Sequence, residues 1–239
     1  MIIAIDGLDG SGKETTCNAL RRMIVDQYNL PECSVVVHSF PDYNTPSGRE
    51  IKKVLADSVL QGMDGRSKAY MVATLFAINR AEHFASLKNP AMMFDPSYIH
   101  IFDRYWASNI VYQGLGRSGE EMLGFVQNCK AIDNVFFNPM PTVYYFLRVP
   151  FSILNERLSA RTESKSGVED TYEKTMFQMA VYHLSEYVLS HNNIYNIYDA
   201  IINTAPCVNG MYEQKTVGQI TAELFDAAAE HLKQAVSTK

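Results

Sequence analysis

The sequence predicts a three-layer α/β/α domain on a five-stranded parallel sheet, and three observations carry that expectation. Short runs rich in β-branched and aromatic residues alternate with longer segments of helical periodicity. The strand-like runs are apolar at consecutive positions, as strands covered on both faces are. The first run leads straight into a glycine-rich turn and a helix-like segment, and open α/β sheets bind ligands at such strand ends.

In chain order, Met1-Ile2-Ile3-Ala4 opens the first strand and Ile5 to Lys13 forms the glycine-rich turn. Helical periodicity follows over roughly 13–28, then a strand over Cys33–His38. Helices are expected over 47–60 and 67–87, a strand over Tyr98–Phe102, and a long helix over 105–134. The remaining strands are expected at Thr142–Leu147 and Ile194–Tyr198, with helices over 150–160, 171–190 and 216–236. Two loops stand out. Residues from about 160 to 170 are polar and contain Gly167, as a mobile lid would, and Asn203–Lys215, with Pro206 and Gly210, reads as an irregular surface insertion.

The 239 residues suit one domain, and 47% hydrophobic with 20% charged residues is the balance of a globular chain. A net charge of −5 argues against sequence-independent nucleic-acid binding, and no apolar run approaches a membrane span. With a phosphate loop beginning at Gly7, no signal peptide is expected before it. Cys17, Cys33, Cys129 and Cys207 lack the spacing of a zinc or disulfide framework, so the expectation is reduced thiols in a cytoplasmic protein.

The turn Gly7-Leu8-Asp9-Gly10-Ser11-Gly12-Lys13 fits the pattern of a phosphate-cradling loop. Its glycines let backbone N–H groups close on an anion, the helix start adds its dipole, and Lys13 supplies a mobile charge for the β- and γ-phosphates. One position departs from the pattern: Glu14 stands where a magnesium-ligating hydroxyl is usual, with Thr15 and Thr16 following. Asp9, a carboxylate inside an anion-binding loop, points to a cation such as Mg²⁺ between it and phosphate, or else to a turn-forming side chain facing solvent. Asp103-Arg104 ends a strand, where the pair serves either as a structural ion pair or as a fork for a second phosphate group.

The block Asp103-Arg104-Tyr105-Trp106-Ala107-Ser108-Asn109-Ile110-Val111-Tyr112-Gln113-Gly114 resembles the signature of the thymidylate kinases. Further blocks fall in that family's order: Phe40-Pro41-Asp42-Tyr43 with Thr45-Pro46, Leu75-Phe76-Ala77 with Asn79-Arg80, and Glu169-Asp170-Thr171-Tyr172-Glu173 at the end of a lid. The resemblance implies a P-loop nucleoside monophosphate kinase converting dTMP to dTDP with ATP and Mg²⁺, for dTTP supply, and working as a homodimer. Gly7, Gly10, Ser11, Gly12, Lys13, Glu14, Thr15 and Thr16 would then bind ATP.

Phe76 and Arg80 lie four apart, on one face of a helix. By itself that is equally a core Phe beside a surface Arg; the resemblance implies stacking on thymine and donation to its O4. It likewise gives Asn109 an amide contact to the base, and makes Tyr112 a wall where a ribose 2′-hydroxyl would project. On the same resemblance, Arg104 and Tyr43 would hold the acceptor phosphate with Phe40 nearby, and Ser108, Gln113, Asp170 and Tyr172 would complete the acceptor site. Asp9, with Glu14 or Asp103, is the expected magnesium set, and the resemblance implies that Asp9 also meets the acceptor 3′-hydroxyl. No arginine lies within Leu8–Ser11, so the closing charge is expected from Arg157, Arg161 or Lys165, with Arg161 the first choice. Two alternatives stay open: a kinase for dUMP or a C5-modified dUMP, or a catalytically impaired nucleotide-binding protein.

Overall fold

The computed structural model describes residues 1–56, 62–137, 142–163 and 175–237, with 161–163 described by backbone alone. Of the expected lid, residues 160–163 are the end of a helix, while 164–170 with Lys165 and Asp170 lie outside the described residues, as do Tyr172 and the side chain of Arg161.

Five strands, β1 (Ile2–Gly7), β2 (Val35–Ser39), β3 (Ile99–Asp103), β4 (Thr142–Arg148) and β5 (Ala200–Asn203), form a parallel sheet in the order β2-β3-β1-β4-β5. Alternation along β1 divides the core into two layers. Ile2 and Ala4 pack with Phe102, Phe146 and the helices α3 (Gly65–Ala85), α5 (Gly119–Phe137) and α7 (Thr175–Ser190). Ile3 and Ile5 pack on the opposite face with α1 (Lys13–Tyr28) and α9 (Val217–Ser237). The other helices are α2 (Pro46–Leu55), α4 (Ser108–Gln113), α6 (Phe151–Glu163) and α8 (Asn192–Tyr195).

The register sets the site. Ile5 pairs with Asp103, and Gly7 with Leu147, so the carboxyl ends of β1, β3 and β4 open onto one edge. From there β1 enters the glycine-rich turn and β3 enters α4.

Three expectations are corrected. No strand occupies 194–198: α8 ends at Tyr195, Asn196 is left-handed (φ 48°), and β5 begins at Ala200. The Asn192 carboxamide shapes this turn, accepting from the amides of Ile197 and Tyr198 and donating to the Tyr198 carbonyl. Tyr195, Ile197 and Tyr198 are apolar because they fill the core, not because they pair in the sheet. The helix expected over 105–134 is two helices, α4 and α5, broken at the glycine-containing turn Gly114–Ser118. The 203–215 insertion carries a small antiparallel hairpin, β6 (Cys207–Val208) with β7 (Met211–Tyr212). All four cysteines are free, and among the described residues no helix is long and apolar enough to cross a membrane.

Candidate active site

The turn after β1 is shaped by its glycines. Gly12 is left-handed (φ 86°), and a Cβ on Gly7 would come within 2.7 Å of Ser11 Oγ. No side chain caps the N-terminus of α1, so its first amides face the turn. Lys13 is buried there, and its Nζ donates to the carbonyls of Gly7 (2.9 Å) and Leu8 (2.8 Å) and to Ser11 Oγ (3.3 Å). Burial, and then the Arg104 charge, pull its ammonium down to about 8 against the pull of Asp103, Asp9 and Asp6. Thr16 donates its hydroxyl to the Gly12 carbonyl (2.9 Å), while Glu14 and Thr15 are exposed on the first turn of α1.

Asp9 and Arg104 meet as an ion pair, and Gln178 of α7 donates to the other Asp9 oxygen at 3.2 Å. Burial pushes the Asp9 carboxyl up, but Arg104 and Lys13 outweigh it and hold it below the usual carboxylate range. Arg104 follows β3 in the left-handed region (φ 71°), an uncommon conformation for a non-glycine residue that aims its guanidinium back across the strand ends. Its guanidinium lies 5.4 Å from the Tyr112 ring centroid, and the Tyr112 hydroxyl accepts from the Asp9 amide at 3.1 Å.

Two residues that sequence reasoning passed over hold side chains of the expected site. Asp6, inside β1, accepts from Ser108 Oγ and is pushed up to about 6, chiefly by burial. Ser108, expected to touch substrate, thus already holds a buried carboxyl. The only signal for Asp6 is an acid inside an apolar strand directly before a phosphate loop. Asp133 of α5 accepts from Arg80 at Nε (2.8 Å) and Nη2 (2.6 Å), with both side chains buried. Burial alone would lower the Arg80 guanidinium, but Asp133 outweighs it and keeps the charge in place. An acid on an amphipathic helix gave no sequence signal for that role.

One cavity of about 360 Å³, within the range of small-molecule pockets, joins these parts. Its lining brings together two contacting groups, Arg80 with its guanidinium 5.4 Å from the Tyr105 ring centroid, and Arg104 with Asp9, along with Phe76, Asn109 and Glu14. Tyr112, Gln113 and Ser108 lie along it, with Phe40, Pro41 and Tyr43 as a side wall. Lys52 Nζ sits 5.0 Å from the Tyr43 ring centroid. The expected acceptor set therefore converges, apart from Asp170 and Tyr172, which lie outside the described residues. Arg157 of α6 reaches the loop from the far side, donating to the Gly10 carbonyl and to Gln214 Oε1, each at 2.8 Å.

Among the described residues no three His, Cys, Asp or Glu side chains form a ready metal cluster. A kinase Mg²⁺ needs less, because one or two carboxylates with substrate phosphates suffice. Asp103 Oδ1 is buried without a hydrogen-bond partner among the described residues, at the end of β3. Asp9 and Glu14 line the cavity itself, and Asp103 lies next to its lining residue Arg104 in the chain. The donor set fits the ion.

Comparison with known proteins converges on one family. The chain is 30% identical over 181 residues to the thymidylate kinase of Mycobacterium tuberculosis, covering 73% of this chain and 78% of that one. It is 28% identical over 202 residues to that of Mesoplasma florum, covering 84% and 87%. The thymidylate kinase from Candida albicans superposes with a TM-score of 0.60 at 21% identity, covering 98% of this chain and 92% of that one. That from Ehrlichia chaffeensis superposes with 0.54 at 20%, covering 95% and 97%. These two likenesses speak for the fold. Because the family model for thymidylate kinase matches residues 5–200, most of the length, the chain belongs to the thymidylate kinases, which use ATP to phosphorylate dTMP.

Proposed function

We propose that this cavity is where the γ-phosphoryl of ATP passes to dTMP, and that the observation carrying this is its lining by both Arg80 and Arg104. At one end, Arg80 is gripped by Asp133 through Nε and Nη2, so its remaining edge is fixed in direction toward a pyrimidine O4. Phe76 stacks on the ring and Asn109 pairs with its polar edge. Tyr112 stands midway, where its ring leaves room for a deoxyribose and none for a 2′-hydroxyl. Arg104 then meets the acceptor phosphate, exchanging Asp9 for it.

Phosphoryl transfer asks mainly for positioning and charge, so no nucleophilic side chain is required. Lys13 moves its ammonium from the Gly7 and Leu8 carbonyls to the donor phosphates, and a pKa pulled down to about 8 marks a charge that gains from phosphate. Arg161, the first choice from sequence, or Arg157, which bridges Gly10 and Gln214, closes the donor side. Mg²⁺, when bound, neutralises the β- and γ-oxygens. Asp9, Glu14 and Asp103 are the residues that would hold it. The same reading makes the chain a single kinase domain, a homodimer and a cytoplasmic enzyme, on the resemblance alone.

A coupled ADP-release assay across dTMP, dUMP, dCMP, dGMP and UMP tests the assignment. Turnover should be most efficient with dTMP and poor with UMP. Comparable turnover of UMP would overturn the role of Tyr112.

A further inference from the structure

A hydrogen-bonded file of three imidazoles runs beneath the side wall of the cavity. His38 on β2 and His100 on β3 share a sheet face, since Val36 pairs with His100 and His38 with Phe102. His83 reaches them from α3. His38 Nδ1 lies 3.0 Å from His83 Nε2, and His38 Nε2 lies 3.1 Å from His100 Nδ1. The file ends in two acceptors. His83 Nδ1 is 2.7 Å from Asp42 Oδ2, and His100 Nε2 is 3.1 Å from the Met92 carbonyl. His38 and His100 are buried, and the His38 ring lies among Phe40, Phe84 and Phe102 with centroids 6.5, 4.7 and 5.6 Å away.

A carboxylate and a carbonyl only accept, so the four bonds need four protons on the rings. Three neutral imidazoles carry three. One additional proton completes the file, and the end acceptors require N–H at His83 Nδ1 and at His100 Nε2, which leaves the extra proton to any of the three rings. His38 and His100 are buried, whereas His83 is the ring bonded to a carboxylate, Asp42. With the charge on His83, His100 donates from Nε2 to Met92 and accepts at Nδ1, and His38 does the same toward His100 and His83. Burial agrees with this placement, pushing His38 down to about 3 and His100 down to about 4. At Asp42, burial raises the carboxyl but the bonds from His83 and Asn44 outweigh it and hold it low.

We propose that His83 is a positioning residue for the acceptor. Its imidazolium ties Asp42, and with it the Phe40–Tyr43 wall, to the helix carrying Phe76 and Arg80, so acceptor binding depends on one proton. This rests on the cavity's assignment to dTMP. Asn79 of the same helix already binds the Asp42 amide (2.8 Å) and carbonyl (2.9 Å), so the proton secures the side-chain end of a turn whose backbone is held. The surrounding charges are otherwise engaged. Glu82 accepts from Ser47 with Arg49 nearby, and Arg80 is paired to Asp133. At the far end the N-terminal ammonium and Asp95 act on His100 in opposite directions.

Asp42→Asn separates the proton count from a plain ion pair. An amide there accepts from the Asn44 amide as the carboxylate does, and donates to His83 Nδ1, so three neutral rings complete the file. Imidazole nitrogen-15 shifts at about pH 6.5 should show one imidazolium and two neutral Nε2–H rings in the native protein. Asp42→Asn should show three neutral Nε2–H rings. With ATP saturating, so that the donor phosphates hold the Lys13 charge, the native KM for dTMP should rise about fivefold on the alkaline side between about pH 6 and about pH 9, and stay flat in Asp42→Asn. The acceptor's own phosphate titrates near about 6 in both proteins and contributes only on the acid side. His38→Phe, which cuts the file but keeps an aromatic ring among Phe40, Phe84 and Phe102, should raise KM at every pH more than it lowers kcat. Three neutral rings in the native protein, or an alkaline rise that persists in Asp42→Asn, would overturn the proposal. Absence of any dTMP turnover would overturn the acceptor assignment and the positioning role with it, while the nitrogen-15 result still decides the proton count.

Discussion

At the base end of the cavity Arg80 and Asp133 are 2% and 1% exposed, whereas at the phosphate end Arg104 and Asp9 are 21% and 23% exposed. The first pair joins two helices, α3 and α5, inside an aromatic core. The second joins the turn after β1 to the turn after β3. On the proposed assignment, base recognition is therefore built into the fold, and its charge is already oriented before a nucleotide arrives. The transfer end holds its charges in provisional partnerships: Lys13 on backbone carbonyls, Arg104 on Asp9, Arg157 on Gly10. Those partners can be exchanged for phosphate oxygens at little cost, because each side chain stays hydrogen-bonded throughout.

The largest effect should come from breaking the buried pair. Asp133→Ala leaves the Arg80 guanidinium without a counter-charge in the core, a loss of roughly 3–5 kcal/mol in unfolding free energy. Urea unfolding measures it, and the surviving folded enzyme should show a raised KM for dTMP. A loss under about 1 kcal/mol would mean that water or a rearranged neighbour satisfies Arg80, and that the base end is not preorganised.

Lys13→Ala should do the reverse. It removes a charge whose burial already disfavours it, so the unfolding midpoint should hold or rise slightly. Without that charge at the donor phosphates, kcat should fall on the order of 10²–10³. Unchanged kcat would sink the enzymatic reading of the glycine-rich loop. A large loss of stability would show that the two ends of the cavity are built alike after all.

The same contrast governs what was legible in the sequence. The loop from Gly7 to Lys13 and the helix over 13–28 rest on local signals, glycine spacing and helical period, and both stand in the structure. The parallel sheet was legible because β1, β3 and β4 are apolar on both faces. The strand expected at 194–198 failed because core burial and strand pairing leave the same apolar trace. The deciding feature there is a polar one, the Asn192 side chain. Asp133 was invisible for another reason. An acid on an amphipathic helix reads as solvated, and only a partner 53 positions away makes it buried. His38, His83 and His100 likewise read as three lone histidines until sheet register and helix docking bring their rings together.

The smallest expected effect is the most pointed, because Tyr112 lies between the two ends and offers each something different. Its hydroxyl belongs to the phosphate end, accepting from the Asp9 amide at 3.1 Å and lying 3.4 Å from Arg104 Nη1. Its ring belongs to the base end's logic of fixed shape, as part of the cavity wall. Tyr112→Phe removes only the first. Losing one such hydrogen bond costs about 1 kcal/mol, so kcat/KM for dTMP should fall roughly fivefold. The ring remains, so discrimination against the ribose counterpart of dTMP should persist unchanged. If that discrimination collapsed instead, the hydroxyl and not the ring would exclude the 2′-oxygen. Sugar selection would then depend on how the Asp9 turn is held, and would belong to the end of the cavity that rearranges.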